Sequence, residues 1–313
     1  MVSKLRFARI SFEPKLNHFK EDEKAKIKRE REQFLKVINF DLDINKVLKS
    51  ANGKWEIAPK GKKTGYKHKK IESIKNEIEW QFGGIKSGDN YIFGKLAKLK
   101  GHIITIKDDK NKDFKQDKIK DAFLCYFLID FNKHIMVFEL KRNVGEVSPI
   151  ILNEEVFNSY FEGEEQISLN IITDKREIIH RIEKLDVITL VNLHLKPTNP
   201  DSSPSSDRMD KFLKALKASR INIEATSVAG IDLTGEDNFL QSGLRLAEEG
   251  YGHAKVIGRK KKEGAEPIEE EYETINSVNL PVSEKVKLPR DENEKIKVLS
   301  AKVQEIDELF KKP

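Results

Sequence analysis

The fold of this chain is decided by residues 122–140, AFLCYFLIDFNKHIMVFEL. Two apolar, aromatic-rich runs, Ala122 to Phe131 and Ile135 to Leu140, are separated by the short polar segment Asn132-Lys133-His134. Runs of this composition joined by a short polar connection predict an antiparallel hairpin. We therefore expect a β-hairpin at the centre of the fold.

Weaker patterns continue from this centre towards the N-terminus. Alternation of apolar and polar residues from Leu5 to Phe12 predicts a half-buried strand, and the charged residues 21–36 predict a solvated helix. Turns are predicted at Gly83-Gly84 and at 87–90, and strands at 91–93 and 102–106.

On the C-terminal side of the hairpin, helices and strands alternate. The predicted strands are 167–172, 187–195, 221–226, 251–257 and 272–280, and the predicted helices are 153–161, 174–185, one that opens at 206–207 and one that ends at 250. In the helix that opens at 206–207, Met209, Phe212, Leu213 and Leu216 have the spacing of a single buried face.

A last helix is predicted after Pro289. Its apolar residues recur every three or four positions, at Ile296, Leu299, Val303, Ile306 and Phe310. Such a stripe either docks on the body of the same protein, which is the default, or pairs with a second copy.

The fold class expected from these patterns is α+β. A mixed, largely antiparallel sheet in the N-terminal half is followed by alternating helix and strand segments and by a long C-terminal helix. Changes of composition divide the chain into a basic N-terminal region at 1–120, a central hairpin and βαβ-like region at 121–200, and a C-terminal α/β region at 201–313.

Charge is distributed unevenly along the chain. Residues 1–120 hold 31 Lys and Arg against 17 Asp and Glu, whereas residues 121–313 hold 27 against 35. The net charge of +6 therefore hides a strongly polarised molecule. A concentrated positive surface predicts contact with a polyanion, of which nucleic acid is the most common.

The basic surplus peaks at residues 52–70, where seven lysines face the single acid Glu56. Three glycines and Pro59 forbid a regular helix there, so we expect an irregular basic loop. Its lysines are expected to bind phosphates and its two aromatic residues to stack on bases. The predicted nucleic-acid-binding residues of this loop are Lys54, Trp55, Lys60, Lys62, Lys63, Tyr66, Lys67, Lys69 and Lys70. The alternative is a solvated, lysine-rich surface.

A second basic cluster is predicted at a hairpin tip. It consists of Arg259, Lys260, Lys261 and Lys262, which we assign as further candidate nucleic-acid-binding residues. The acids at 269–271 follow it closely, so cross-strand pairing between the two groups is an equally good interpretation.

Signals for catalysis are sparse. No metal-binding spacing of His or Cys and no phosphate-binding glycine loop occurs, so we expect no metal and no cofactor. Cys125 lies in an apolar run and is expected to be a buried, inert thiol. The absence of a long apolar stretch and of a leader pattern predicts a cytoplasmic protein without membrane contact.

One possible nuclease pattern remains at the central hairpin. Asp130 ends the first run, and Glu139 and Lys141 end the second, the residue types with which many nucleases hold Mg²⁺. If the turn lies at 132–134, however, Glu139 is opposite a residue near 126, too far along the strand from Asp130 to share an ion. An ordinary hairpin is the favoured interpretation.

Several segments together resemble known proteins. They are 127–131, 137–139, Ser148-Pro149, the helix with Phe157 and Phe161, 194–201 and 250–256. They resemble a bacterial and mobile-element family and, in layout, the phage-exclusion DNA-binding protein RexA. The resemblance implies a dimer that binds DNA without marked sequence preference and acts in antiphage defence. It implies no catalytic residues.

The charge pattern thus predicts a non-enzymatic, sequence-nonspecific nucleic-acid-binding protein, for which the resemblance implies DNA as the favoured ligand and an antiphage or phage-exclusion system as the setting. It is expected to form a homo-oligomer and to have a partner subunit from a defence operon. Two alternatives stay open: a Mg-dependent nuclease of the same setting, and a subunit that binds another protein of a defence complex through the last helix.

Overall fold

The structure is a computed structural model that describes residues 2–13, 23–39, 78–108, 113–144, 158, 166–198, 207–233, 238–261 and 270–311. Eleven strands lie in these residues: β1 (Ser3–Glu13), β2 (Ile78–Ser87), β3 (Tyr91–Asp108), β4 (Asp113–Asp130), β5 (Ile135–Leu140), β6 (Gln166–Ile171), β7 (Val187–Leu195), β8 (Ile221–Thr226), β9 (Gly252–Lys261), β10 (Glu270–Asn276) and β11 (Ser283–Val286). Five helices accompany them: α1 (Glu23–Asn39), α2 (Lys175–Ile182), α3 (Asp207–Ala215), α4 (Phe239–Glu248) and α5 (Glu292–Lys311). The predicted α+β class is confirmed.

The central hairpin forms as predicted. β4 and β5 pair in antiparallel register, with Asp130 opposite Ile135 and Phe127 opposite Phe138. The turn between them is closed by Asp130, whose Oδ1 accepts the backbone N–H groups of Asn132 and Lys133 at 2.9 Å.

This hairpin lies inside a seven-stranded sheet, in which six strands follow the order β11-β1-β5-β4-β3-β2 and the seventh, β6, pairs with β1. β1 pairs with β5 on one edge, and its other edge is shared by two strands. Residues 3–6 of β1 pair with β11, and residues 8–13 pair with β6. The first strand of the chain is therefore joined to strands that lie far from it in sequence.

Two local predictions in this sheet are corrected. The predicted strands at 91–93 and 102–106 are parts of one long strand, β3. The predicted turn at Gly83-Gly84 is a β-bulge inside β2, where Gly84 has a φ of 58° and the register with β3 shifts. A glycine adopts this φ without strain, and a bulge keeps the strand continuous.

Among the described residues, one helix packs on each face of the first sheet. Because side chains alternate along a strand, Phe127 and Phe138 face α1, where they share a buried cluster with Phe34. Leu128 and Val137 face the opposite side, where they pack against α5. The apolar runs of the hairpin are continuous because both of their faces are buried.

The final helix docks on its own chain, which was the default prediction. Its apolar stripe, Ile296, Leu299, Val303, Ile306 and Phe310, is buried in the cluster that covers the first sheet. The stripe is therefore used within one chain and is not available to a second copy.

The second sheet has four strands in the order β10-β9-β7-β8. Val191, Leu193 and Leu195 of β7 face a helical layer that contains α3 and α4. The predicted single buried face of α3 is wrong in part. Met209 and Leu213 are buried, whereas Phe212 is 39% exposed and Leu216, just beyond the helix, is 53% exposed.

The predicted region boundaries can be placed on this architecture. Residue 120 lies within β4, and residue 200 lies between β7 and α3. Asn158 is the one described residue of the predicted helix 153–161, and the rest of that segment lies outside the described residues. Within the described part of the chain, no helix combines the length and the apolar character that crossing a membrane requires.

Candidate functional site

The second sheet turns one face towards its helices and the other towards solvent. Directly opposed residues of antiparallel strands share a face, so the register defines cross-strand rows on the open face. The rows are Asn222–His194–His253, then Glu224–Asn192–Lys255–Asn276, then Thr226–Leu190–Ile257–Thr274, then Val187–Arg259–Tyr272, and finally Lys261–Glu270. We call this surface the open face.

The first two rows form a polar ladder. The imidazole rings of His194 and His253 are stacked, with centroids 4.5 Å apart and planes inclined by 24°. His194 donates from Nδ1 to Oδ1 of Asn222 at 2.7 Å, because an amide oxygen only accepts. Asn192 donates from Nδ2 to Glu224 at 2.8 Å. Hydrogen bonds between neighbouring strands thus hold these side chains in fixed positions.

The third row is largely apolar and leads to a shallow groove. Leu190 and Ile257 are half-buried on this face. Beyond them a cavity of about 350 Å³ is lined by Thr189, Thr226, Ser227, Val228, Arg259 and Tyr272. We call it the Tyr272 groove. It combines aromatic, hydroxyl and guanidinium groups, which suit a ligand that is flat on one side and anionic on the other.

A bulge in β7 shapes this groove. The register between β7 and β9 shifts between Ile188 and Leu190, so Thr189 is the extra residue. The Thr189 hydroxyl donates to the backbone carbonyl of Ile257 at 3.2 Å. The backbone carbonyl of Thr189 accepts the N–H of Ser227 at 3.0 Å. The bulge therefore ties three strands together at the base of the groove.

Arg259 and Tyr272 are the two large side chains of the groove. They lie opposite each other on β9 and β10. Arg259 donates from Nη2 to the carbonyl of Val228 at 3.1 Å, which fixes its guanidinium beside the rim. Tyr272 is 67% exposed and Val228 is 91% exposed, so both present apolar surface to solvent in the same groove as the Arg259 guanidinium. Tyrosine and arginine are, with tryptophan, the residues enriched at binding hot spots.

Consecutive described residues of the basic cluster predicted at 259–262 alternate between the two faces of β9. Arg259 belongs to the open face, together with Lys255. Lys260 is opposite Glu271 and Lys261 is opposite Glu270, the arrangement that the cross-strand interpretation required. Lys262 and Glu269 lie outside the described residues.

The larger predicted site is the basic loop at 52–70, which lies outside the described residues. Every candidate of the basic loop lies outside the described residues, namely Lys54, Trp55, Lys60, Lys62, Lys63, Tyr66, Lys67, Lys69 and Lys70.

The nuclease pattern is dispersed by the fold. The hairpin register places Glu139 beyond Phe138 and therefore opposite residue 126, as the sequence predicted. Glu139 is buried, accepts a hydrogen bond from Ser3 and pairs with Lys141 Nζ at 2.6 Å. The Asp130 carboxylate accepts the backbone N–H groups of the hairpin turn. No three His, Cys, Asp or Glu side chains converge on a common point anywhere in the described ranges.

Cys125 is buried in the cluster between the first sheet and α1, as the sequence predicted. Burial raises the pKa of its thiol to about 12, with a further contribution from the negative charge of Glu139. A thiol in this state is almost wholly protonated at neutral pH, and it is the thiolate that reacts.

Sequence reasoning missed Tyr272 and the polar ladder. A signal for the ladder was present, because Asn192 and His194 alternate with Val191, Leu193 and Leu195 in β7. His253 and Lys255 alternate in the same way with Ala254 and Val256 in β9. Period-two alternation predicts that these polar residues share one face of a sheet, although it does not predict which strands are neighbours.

These features define an α+β protein in which one sheet is enclosed by helices and the other presents a solvent-facing platform with a tyrosine–arginine groove. The chain belongs to the family described as a domain of unknown function, DUF4747, which matches residues 47–304. The matched range includes all four strands of the second sheet. No curated protein matches the chain.

Proposed function

We propose that this protein binds nucleic acid on the open face of the second sheet and that single strands are its preferred form. The observation that carries the proposal is the placement of exposed Tyr272 beside Arg259 at a groove on an open antiparallel sheet. Sheet surfaces with exposed aromatic side chains are a common platform for unpaired bases.

Stacking supplies the first part of the binding energy. A base laid on the ring of Tyr272 would also contact the apolar row of Leu190 and Ile257. Stacking of one base on an aromatic side chain contributes about 1–3 kcal/mol and tolerates any base, because every base has a π-face. This agrees with the expected lack of sequence preference.

Phosphate contacts supply the second part. Lys255 and Arg259 lie on the open face four residues apart in β9, so their spacing along the strand is about 13.2–13.6 Å. This spacing suits two phosphates of an extended single strand that are separated by one intervening phosphate. Lysines of the loop at 52–70 would extend this electrostatic attraction if they face the same strand.

Fluorescence anisotropy with a labelled oligonucleotide tests the proposal. We expect the wild-type chain to bind a single strand in low salt and Tyr272→Ala to weaken binding by about fivefold to 150-fold, which corresponds to about 1–3 kcal/mol. Tyr272→Phe keeps the ring and serves as the matched control. An unchanged affinity for Tyr272→Ala would remove the open face from the binding site.

The salt dependence provides a second readout. Lys255→Ala should lower the slope of log K against log salt by about 0.7, the value for one phosphate contact on a single strand. Lys184→Ala is the control, because Lys184 is exposed at the end of α2 on the helical side of the molecule. Equal slopes for both variants would contradict a phosphate contact at Lys255.

The cellular setting follows from the resemblance described above. We propose that the protein acts in the cytoplasm in antiphage defence or phage exclusion, with DNA as its natural ligand and with a partner subunit from the same operon. Plaque counts on cells with the wild-type gene and with the Tyr272→Ala gene test this setting. Equal plaque counts in the presence and absence of the wild-type gene would contradict it.

A further inference from the structure

A second surface of the molecule lies at the free edge of the second sheet. β8 is the terminal strand of the order β10-β9-β7-β8, so in the described part of the chain it pairs on one side only. It reads Ile221-Asn222-Ile223-Glu224-Ala225-Thr226. Edge strands are normally protected by charged side chains, above all lysine, by proline or by a bulge. β8 contains no lysine, proline or bulge, and Glu224 is its single charged residue. The other terminal strand, β10, carries Glu270, Glu271 and Glu273.

The free hydrogen-bonding groups of β8 can be assigned. Ser227 donates its N–H to the carbonyl of Thr189 in β7. In an antiparallel ladder the N–H and C=O groups of alternate residues point the same way, so residues 221, 223 and 225 face β7. The N–H and C=O groups of Asn222, Glu224 and Thr226 therefore face away from β7, along the free edge.

The hydrophobic layer beneath this edge is incomplete. Val191, Leu193 and Leu195 of β7 are buried, whereas Ile221, Ile223 and Ala225 of β8 face the same layer and are only half-buried. The neighbouring helix α3 packs against α4, while α2, on the other side of α4, contacts β10. The exposed Phe212 and Leu216 thus belong to the end of the layer that lies towards β8.

We propose that β8 pairs with β8 of a second copy of this chain in antiparallel register about a two-fold axis at Ile223. This register places Asn222 of each copy opposite Glu224 of the other, so an amide donor meets a carboxylate acceptor twice. Pairing centred on Glu224 would instead place two like charges face to face, which is unfavourable. The two Ile223 side chains meet at the axis and close the hydrophobic layer, with Leu216 at its border.

The pairing has a consequence for the open face. Because the two sheets would join edge to edge, their open faces form one surface of eight strands, about 38 Å wide at about 4.8 Å per strand. Only this consequence depends on the proposed nucleic-acid binding. The pairing itself rests on β8 and α3.

Sedimentation velocity across micromolar concentrations tests the pairing without any ligand. The wild-type chain should sediment as a dimer, and Glu224→Pro should sediment as a monomer, because proline removes an N–H that points to the free edge and none that faces β7. Glu224→Ala loses the same side-chain contacts, with Asn192 and with Asn222 of the second copy, but keeps the N–H, so it is the matched control and should retain clearly more dimer than Glu224→Pro.

A second pair of variants addresses the apolar border. Leu216→Glu should raise the dissociation constant of the dimer at least about tenfold, a change of about 1.4 kcal/mol. Val278→Glu, at another exposed apolar residue, should leave it unchanged. Thermal melts confirm that each variant is folded. A monomeric wild type, or a dimer that persists in Glu224→Pro, would overturn the proposal; the former would leave the edge to a strand of another protein.

Discussion

The guanidinium of Arg9 lies over the ring of Tyr251, with its Cζ 5.0 Å from the ring centroid. Arg9 is in β1 of the first sheet, and Tyr251 directly precedes β9 of the second. Arg9 also donates from Nε to the carbonyl of Glu249 at 3.0 Å and from Nη1 to the carbonyl of Lys133 at 2.8 Å. One buried side chain thus joins the two sheets and the turn of the central hairpin.

Replacement of Arg9 should therefore be costly. Arg9→Ala leaves two carbonyls without their charged donor and removes the contact with Tyr251, so we expect the free energy of unfolding to fall by about 3 kcal/mol. Arg9→Lys keeps the positive charge but loses the planar guanidinium group. Its free energy of unfolding should therefore lie between those of the wild type and of Arg9→Ala. Guanidinium denaturation measures the difference. Arg142→Ala, at an exposed residue, should change stability little; a comparable loss there would contradict the assignment.

Any side chain at Gly252 is expected to destabilise the protein, because of the backbone conformation and close packing at this position. Its φ is +142°, and a Cβ at this position would overlap the carbonyl oxygen of His194. Gly252→Ala should cost about 1–3 kcal/mol and separate β9 from β7 at the stacked histidines. Gly83→Ala is the control, since nothing lies within 4 Å of a Cβ there. Thermal unfolding of both variants tests the difference, and equal melting temperatures would count against it.

The thiol of Cys125 should be silent in the native protein. Since burial raises its pKa to about 12, we expect no reaction with a disulfide reagent at pH 8 until the protein unfolds. A titration of thiols with and without denaturant checks this. Stoichiometric reaction in native buffer within minutes would show that the buried cluster around Cys125 opens far more often than its packing implies.

Glu292 should make stability depend on pH. Hydrogen bonds from Lys95 and Lys86, with Nζ to carboxylate distances of 2.5 and 3.0 Å, lower the pKa of its carboxyl to about 2. A lowered folded-state pKa stabilises the protein above the unfolded value of about 4.5, and this contribution disappears as the pH falls towards 2.

Glu292→Gln should accordingly be less stable than the wild type at pH 7 and should approach it at pH 2–3. Urea denaturation at several pH values measures the two curves. Glu183→Gln, an exposed acid at the end of α2, is the control and should run parallel to the wild type. A difference between Glu292→Gln and the wild type that does not shrink on acidification would contradict the ion-pair assignment.

The local elements of the fold were largely predictable. Apolar runs and turn residues predicted the turn end of the hairpin β4–β5 and the bounds of strand β7 correctly. The start of β4 was missed, because the strand begins at Asp113 in a charged segment, nine residues before the apolar run. The bulge at Gly83-Gly84 was mistaken for a turn, since glycine pairs serve both purposes. The exposure of Phe212 and Leu216 was missed because periodicity identifies a face but not what covers it.

The candidate site was less accessible to sequence reasoning. Tyr272 and Arg259 are neighbours only because β10 pairs with β9 in one register, and His194 meets His253 only because β7 and β9 are adjacent. Charge counting drew attention to Arg259 but also to Lys260 and Lys261, which lie opposite acids. Cross-strand neighbours are a property of topology, and a single sequence does not encode them locally.

The pairing of β1 has an implication for how the protein is made. Residues 3–6 find their partners on one edge only when residues 283–286 have been synthesised. At roughly 5–20 residues per second, a ribosome needs about 14–56 s to cover that interval. During this time one edge of a nascent strand whose apolar residues are destined for the core lacks its partner. Chaperone occupancy at the start of the chain should therefore outlast the folding of the second sheet.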